Sequence, residues 1–156
     1  MNPGQDPALM QWRCVPFEGL SANDVYDLLQ LRSAVFVLEQ NCVFQDIDGA
    51  DRQALHVLGH VDGALQAYAR CFAAGVKFPE ASIGRVVIGP SLRATGAGHL
   101  LMQQAMAALA QQWGAQSVRI GAQARLERFY AVHGFVVASA PYLEDNIAHI
   151  EMLRPA

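Results

Sequence analysis

The sequence predicts an α/β domain built around a mixed sheet, because segments with the residue patterns of strands and of helices alternate along most of the chain. Two observations carry this prediction. A turn dipeptide joins two strand-like segments in the first half, and a buried strand, a Gly-Pro break and a long amphipathic segment follow one another near the middle. The chain has 156 residues and is 53% hydrophobic, which suits one packed domain over residues 9–156 after a flexible segment at 1–8.

The predicted element order is β α β β β α β α β β. Ser21 stands three residues before Asp24, as at a helix N-terminus, and apolar residues then recur at helical spacing as far as Phe36. Asp62-Gly63 supplies the positive φ angles of a type I′ turn and predicts a hairpin. The remaining strands are predicted at 83–88, 117–120, 135–139 and 148–153, and the remaining helices at 98–113 and 126–132.

Composition argues against several classes of function. The formal net charge is -3 and charged residues are 16%, so the chain has no basic surplus for nucleic acid and its acidic balance weakly favours a neutral or cationic partner. We expect a cytoplasmic protein without membrane association, because no apolar run approaches about 20 residues and the N-terminal residues lack the pattern of a signal peptide. The three cysteines form no C-x-x-C pair and the histidines do not cluster with acids, so we expect reduced, mostly buried cysteines and no metal.

The segment from Arg93 to Gly98 has the features of an anion site. The first turn of a helix offers unpaired N–H groups at the positive end of the helix dipole, and Gly96 and Gly98 carry no side chain to block them. A P-loop is excluded because no Gly-Lys-Ser/Thr occurs, and the dinucleotide pattern fails at Leu101, which stands where a glycine is required. On spacing alone, a phosphate-binding loop and a tight turn without a ligand carry equal weight.

Two motifs resemble those of the GCN5-related N-acetyltransferase (GNAT) family. The stretch IGPSLRATGAG at 88–98 resembles the family signature R/Q-x-x-G-x-G/A, which follows a strand and opens the cofactor helix. The stretch FYAVHGF at 129–135 resembles the second cofactor motif, F/L-Y-x-x-x-G-F, at about the usual separation. The resemblance covers nearly the whole chain. Within the family, residues 28–49, 121–130 and 142–152 resemble the ElaA-like branch in particular. One departure is Gln123, where many members have asparagine.

The resemblance implies a GNAT fold, with a mixed sheet of about six or seven strands flanked by helices. Acetyl-CoA would lie between splayed parallel strands at 83–88 and 117–120. No metal is implied. The contacts to the cofactor would come from Val86, Val87, Ile88, Arg93, Ala94, Thr95, Gly96, Ala97, Gly98, Gln123 and Tyr130.

Catalysis by such a site needs an acid for the leaving thiolate and a base for the amine. Tyr130 aligns with the tyrosine that acts as general acid in many members of the family, although a helix tyrosine that covers the core fits the same pattern. For the base, the candidates are Glu39, Asp48, Glu144, Asp145 and His149, and none stands out by its spacing. Arg70 and Arg85 lie in predicted strands and face either a substrate carboxylate or neighbouring acids.

The leading hypothesis is direct transfer of an acetyl group from acetyl-CoA to a primary amine on a small molecule or a peptide. A second is the transfer of longer acyl chains, because residues 32–36 also resemble the N-terminal part of acyl-homoserine lactone synthases. A third is a non-catalytic module that binds acyl-CoA, suggested by Gln123 and by the lack of a clear base. Dimers are frequent in the family, so a homodimer is one further expectation.

Overall fold

The structure, a computed structural model, describes residues 6–156. Within this range the chain forms two sheets. The strands are β1 (Gln11–Pro16), β2 (Leu55–Val61), β3 (Ala64–Phe72), β4 (Ser82–Ile88), β5 (Val118–Gln123), β6 (Val136–Val137), β7 (Tyr142–Glu144) and β8 (Ile147–Arg154). The first sheet is antiparallel in the order β1-β2-β3-β4. In the second sheet, β8 pairs antiparallel with β5, β6 and β7.

Three α-helices accompany these strands: α1 (Ala22–Arg32), α2 (Ala97–Trp113) and α3 (Glu127–Ala131). The predicted N-terminus of α1 is confirmed, because Ser21 and Asp24 form a reciprocal capping box. The predicted end of α2 is confirmed at Gly114, whose φ of 85° few other residues adopt. The first helix does not continue as an α-helix to Phe36, however. Residues Ser33–Glu39 form a π-helix, with an N–H that donates five residues back from Gln40 to Val35.

The predicted hairpin between β2 and β3 is also confirmed. Asp62 and Gly63 have φ angles of 50° and 79°, as a type I′ turn requires. Successive residues of these strands face opposite sides of the sheet, so Val57 packs in the core with α2 while Leu58 packs with α1. The two helices therefore cover opposite faces of the first sheet, and α2 contributes a buried stripe that includes Leu101 and Ala105.

The two sheets meet through one parallel contact. Ala81 bridges Val118, and the Arg119 N–H donates to the Ala81 carbonyl at 2.8 Å, just where β4 and β5 begin. No further pairing joins these two strands within residues 6–156, so they diverge toward their carboxyl ends. The predicted α/β fold with splayed parallel strands is confirmed, with eight strands in this range rather than six or seven.

Several local predictions need correction. The strand expected at 135–139 pairs only over Val136–Val137, and β7 was not predicted because three exposed residues carry no pattern. Cys14 is exposed, whereas Cys42 and Cys71 are buried as expected. Residues 1–5 of the segment predicted to be flexible lie outside the described residues, and Pro7–Leu9 form a 3₁₀ turn.

The described part of the chain was also searched for membrane spans and metal groups. Among residues 6–156, no helix combines the length and the apolar character that crossing a bilayer requires. The same range contains no group of three or more histidine, cysteine, aspartate or glutamate side chains placed to hold a metal ion.

Candidate active site

A β-bulge in β4 shapes the space between the two sheets. Arg70 pairs with Gly84 and Tyr68 pairs with Val87, so Arg85 and Val86 together face a single residue of β3. Arg85 has a φ of 50°, which is uncommon for a side-chain-bearing residue. The bulge interrupts the β3–β4 ladder within the predicted cofactor strand, 83–88. Because β4 and β5 diverge after the Ala81–Val118 bridge, Val86 to Ile88 have a backbone edge toward β5 that no strand of the described residues occupies.

The predicted anion loop follows this strand. Gly96, with a φ of 90°, is the N-cap of the 17-residue helix α2, and Ala94 has a φ of 59°. The N–H groups of Ala94, Thr95, Gly96 and Gly98 find no acceptor among residues 6–156, whereas Ala97 N–H lies 3.4 Å from the Thr95 Oγ1. Four free N–H groups at the positive end of a helix dipole suit a diphosphate.

The two glycines of the loop have different environments. A Cβ on Gly96 would meet nothing within 4 Å, although its positive φ disfavours any side chain. A Cβ on Gly98 would lie 3.2 Å from Phe129 Cε2, which is closer than ordinary packing allows. Gly98 therefore lets the second cofactor motif pack against the start of α2, a contact that spacing alone did not reveal.

Arg93 and Glu39 form a bidentate ion pair beside this loop. The Arg93 Nη2 donates to Glu39 Oε2 at 2.6 Å, and Arg93 Nη1 donates to Glu39 Oε1. Both side chains are more than two-fifths exposed, and the hydrogen bond from Arg93 lowers the pKa of Glu39. The structure thus places Glu39, a candidate base, on the cofactor side rather than with Glu144 and His149.

A cavity of about 540 Å³ runs from the anion loop along β4. All of the predicted cofactor contacts line it except Thr95 and Ala97. A second cavity of about 420 Å³ adjoins the first and is lined by Glu144 and His149, among other residues. The two cavities share six lining residues, namely Phe36, Gln40, Val86, Gln123, Leu126 and Tyr130.

The place where the cavities join is covered by a pair of amide side chains. The Gln123 Nε2 donates to Gln40 Oε1 at 3.3 Å, which links β5 to the chain after the π-helix. Arg125 Nε donates to Gln123 Oε1 at 3.0 Å and fixes the orientation of that amide. Gln123 thus lies at the boundary between the cavities. Its partner Gln40 was not predicted, because the contact depends on how the π-helix turns the chain.

Tyr130 stands at the same boundary. Its side chain is buried, with the ring edge-on to Phe129 and Phe135 at centroid distances of 5.0 and 6.1 Å. Burial raises the pKa of Tyr130 to about 12, so the phenol is protonated at neutral pH. The hydroxyl has no hydrogen-bond partner among residues 6–156, and Tyr130 lines both cavities. This tyrosine therefore contributes to the core through its ring and has a hydroxyl left to donate.

His149 and Glu144 form a pair in the second cavity. His149 lies opposite Gln123 in the β5–β8 ladder, and its Nδ1 is 2.7 Å from the Ile147 carbonyl oxygen. A carbonyl only accepts, so Nδ1 carries the hydrogen and the neutral ring has a free electron pair on Nε2. The Glu144 Oε2 lies 3.5 Å from this Nε2, where it can stabilise the protonated ring. Asp145, the neighbouring candidate, accepts a hydrogen bond from Cys42 Sγ through its backbone carbonyl at 3.3 Å.

Arg70 and Arg85 belong to an ion-pair cluster that sequence reasoning did not assemble. Arg70 donates to Asp48 and to Asp51, at distances from 2.6 to 2.9 Å, and Arg85 Nε lies 2.8 Å from Asp46 Oδ1. The hydrogen bonds from Arg70 depress the pKa of Asp48 strongly, which makes this carboxylate a poor base. The three aspartates occur within six consecutive residues, 46–51, and this spacing was the available signal.

Splayed parallel strands with an anion loop after the first of them define a class of acyltransferase fold. Residues 30–154 match the model of the acetyltransferase (GNAT) domain, so the chain belongs to the GNAT family. Protein ElaA of Escherichia coli strain K12 is 40% identical over 148 residues, which cover 94% of this chain and 97% of ElaA. The match confirms the ElaA-like resemblance that the motifs indicated.

Solved structures agree with this assignment. The crystal structure of Escherichia coli ElaA has a TM-score of 0.87 at 39% identity and covers 93% of this chain and 99% of its own. The crystal structure of an acyl-CoA N-acyltransferase from Pseudomonas aeruginosa has a TM-score of 0.88 at 39% identity, and the match again covers 93% of this chain and 99% of that one. The AHL synthase LasI has a TM-score of 0.69 at 16% identity and covers 92% of this chain and 88% of its own, a likeness in fold alone.

Proposed function

We propose that this chain transfers an acetyl group from acetyl-CoA directly to a primary amine. The observation that carries the proposal is the meeting of two cavities at Tyr130, one beside an anion loop and the other beside a histidine–carboxylate pair. A donor in the first cavity and an acceptor in the second would bring their reacting atoms together without a covalent enzyme intermediate. Membership in the GNAT family supports acyl-CoA as the donor.

The donor is held mainly by backbone. The free N–H groups from Ala94 to Gly98 bind the diphosphate, and the open edge of β4 pairs with the pantetheine as a neighbouring strand would. A β4 N–H group in the bulge or just after it, at Val86 or Val87, polarises the thioester carbonyl and stabilises the oxyanion that forms on attack. Arg93 must leave Glu39, or share its guanidinium, to reach the diphosphate.

Two side chains move the protons. The acceptor ammonium gives its proton to His149 Nε2, and Glu144 stabilises the imidazolium that results. The neutral amine then attacks the thioester carbon, the C–S bond breaks, and the Tyr130 hydroxyl donates a hydrogen bond and then its proton to the thiolate. The new amide nitrogen loses its extra proton to water, and water returns a proton to Tyr130. His149 releases the proton that it took to solvent once the products leave. Asp48, Glu144, Asp145 and His149 all line the cavity that Tyr130 lines, and among them His149 has a ring nitrogen that lies beside a second candidate, Glu144.

The test is an acceptor screen that follows free thiol release from acetyl-CoA, with Gly96→Trp as the control that blocks the donor cavity. Gly96 lines that cavity and has open space around it, so an indole at this position occupies the donor site. We expect transfer to at least one primary amine by the native protein and none by the variant. Tight acetyl-CoA binding without transfer to any amine in the panel would support a binding module instead, and faster reaction with octanoyl-CoA would support a longer acyl donor.

A further inference from the structure

One wall of the acceptor cavity carries a surplus of positive charge. Arg70 and Arg85 reach it from β3 and β4, and Lys77 reaches it from the connection between these strands. Aromatic rings hold these cations in place, with the Arg70 Cζ 5.0 Å and the Lys77 Nζ 5.5 Å from the Phe72 centroid. The Arg85 Cζ lies 5.5 Å from the Phe44 centroid. Cations and aromatic faces therefore alternate along this wall.

The carboxylates of the cluster do not neutralise the wall. Four cations, Arg32, Arg70, Lys77 and Arg85, share three carboxylates, Asp46, Asp48 and Asp51, which leaves one positive charge. Asp48 alone contacts three of these cations, at N–O distances of 2.6, 3.0 and 3.6 Å.

The surplus charge falls on the side of the cluster that faces the cavity. Arg32 and Arg70 are almost wholly buried and each contacts two carboxylates. Lys77 and Arg85 are 35% and 24% exposed. Lys77 lies 3.0 Å from the shared Asp48, and Arg85 lies 2.8 Å from Asp46 but 3.6 Å from Asp48. Burial lowers the pKa of Arg85, and the neighbouring charge of Arg70 lowers it further.

The opposite wall has the opposite sign. Glu144 ends β7 and Asp145 follows it in the turn to β8, and within residues 6–156 no ion pair joins them to the cations across the cavity. An acceptor with a cationic amine at one end and an anion at the other matches both walls. A plain alkylamine would leave the positive wall unpaired, and a dianionic phosphate would exceed its single surplus charge.

We propose that the acceptor is an amino acid or a similar amine bearing one carboxylate, which Lys77 and Arg85 bind while the amine faces His149 and Glu144. This inference rests on the proposed function, because it names the acceptor of that same site. An acceptor that bears a carboxylate also differs from the neutral or cationic partner that the net charge of -3 by itself favoured.

The experiment compares each amino acid with its own carboxamide, for glycine, leucine and phenylalanine, at matched concentrations in the thiol-release assay. The amine of the amide is less basic and more often neutral, so a preference for the acid cannot arise from the amine. We expect kcat/KM to favour the acids by about tenfold or more, as one charge-assisted hydrogen bond provides. Equal use of acid and amide, preference for the amide, or preference for aminoethyl phosphate over β-alanine would overturn the inference.

Variants of Lys77 and Arg85 test whether these two residues cause the preference for the acid. Lys77 is the only lysine of the chain, and Lys77→Met is expected to remove most of the preference for the acid, because kcat/KM should fall more for the acid than for its amide. Lys77→Arg keeps the charge and should retain the preference. Arg52→Met removes an exposed cation outside the cavity and serves as the matched control. A preference that survives in Lys77→Met and Arg85→Met alike would contradict carboxylate binding by these two residues.

A binding measurement separates this inference from the proposed function. If no amine releases thiol, the proposed function fails, and calorimetry on the protein saturated with CoA still compares each acid with its amide. Tighter binding of the acid that Lys77→Met abolishes supports the carboxylate site without catalysis. Equal binding of both, or no binding of either, overturns it.

Discussion

Replacing Tyr130 with phenylalanine tests the chemistry with little disturbance of the core. The ring packs edge-on against Phe129 and Phe135, and phenylalanine keeps those contacts. The hydroxyl has no protein partner among the described residues, so its loss should change the free energy of unfolding by less than about 1 kcal/mol, the usual net value of one hydrogen bond. Because burial holds the pKa of Tyr130 near 12, the native protein has this proton available throughout the neutral and mildly alkaline range.

The kinetic effect should be much larger than the structural one. A positioned general acid accelerates the reaction by about 10²- to 10⁴-fold. The kcat of the variant should therefore be lower by a factor in that range, while the KM values for donor and acceptor stay nearly unchanged. Steady-state thiol release gives kcat, and chemical denaturation gives the stability. Tyr26→Phe, on an exposed position of α1, is the matched control. A variant with native kcat, or one that loses activity only in proportion to its stability, would refute the role assigned to Tyr130.

Three further changes test the donor loop and the ion-pair cluster. Gly98→Ala should weaken CoA binding, measured by calorimetry, because the added Cβ would press on Phe129; unchanged affinity would show that the loop tolerates the shift. Glu39→Gln should tighten CoA binding by up to about fivefold at low salt, because it frees Arg93 from an exposed ion pair that salt screens; weaker binding would mean that Glu39 holds Arg93 in place for the ligand. The pKa of Asp48 is depressed in the folded protein but about 3.9 in the unfolded chain, so the unfolded chain binds more protons below about pH 5. The free energy of unfolding should therefore fall as the pH is lowered through this range, and it should fall less steeply in Asp48→Asn.

Local signals in the sequence were sufficient for much of the fold. The capping box at Ser21, the Asp62-Gly63 turn and Gly114 each act within a few residues, so their outcome depends little on the rest of the chain. The two cofactor motifs added the order and separation of elements that no single turn specifies. The resemblance to the GNAT family that these motifs carry implied the splay between β4 and β5.

Features that depend on tertiary contacts were not predicted. The π-helix over Ser33–Glu39 has the same apolar spacing as an α-helix, and its bonds form only in the folded chain. The bulge at Arg85 places a non-glycine residue at positive φ, which no sequence rule favours. The cluster of arginines and aspartates joins β3, β4 and the chain from 46 to 51, so its net charge became visible only when these segments were brought together.

The central claim is that the acetyl group passes directly between two cavities that meet at Tyr130. The most direct measurement is the initial rate as both acetyl-CoA and an accepted amine are varied, with mass spectrometry of the protein after incubation with acetyl-CoA alone. Direct transfer predicts intersecting reciprocal plots and an unmodified protein, since both substrates must be bound at once. Cys42 is a thiol that lines the acceptor cavity. Parallel plots together with an acetyl group on Cys42 would contradict direct transfer.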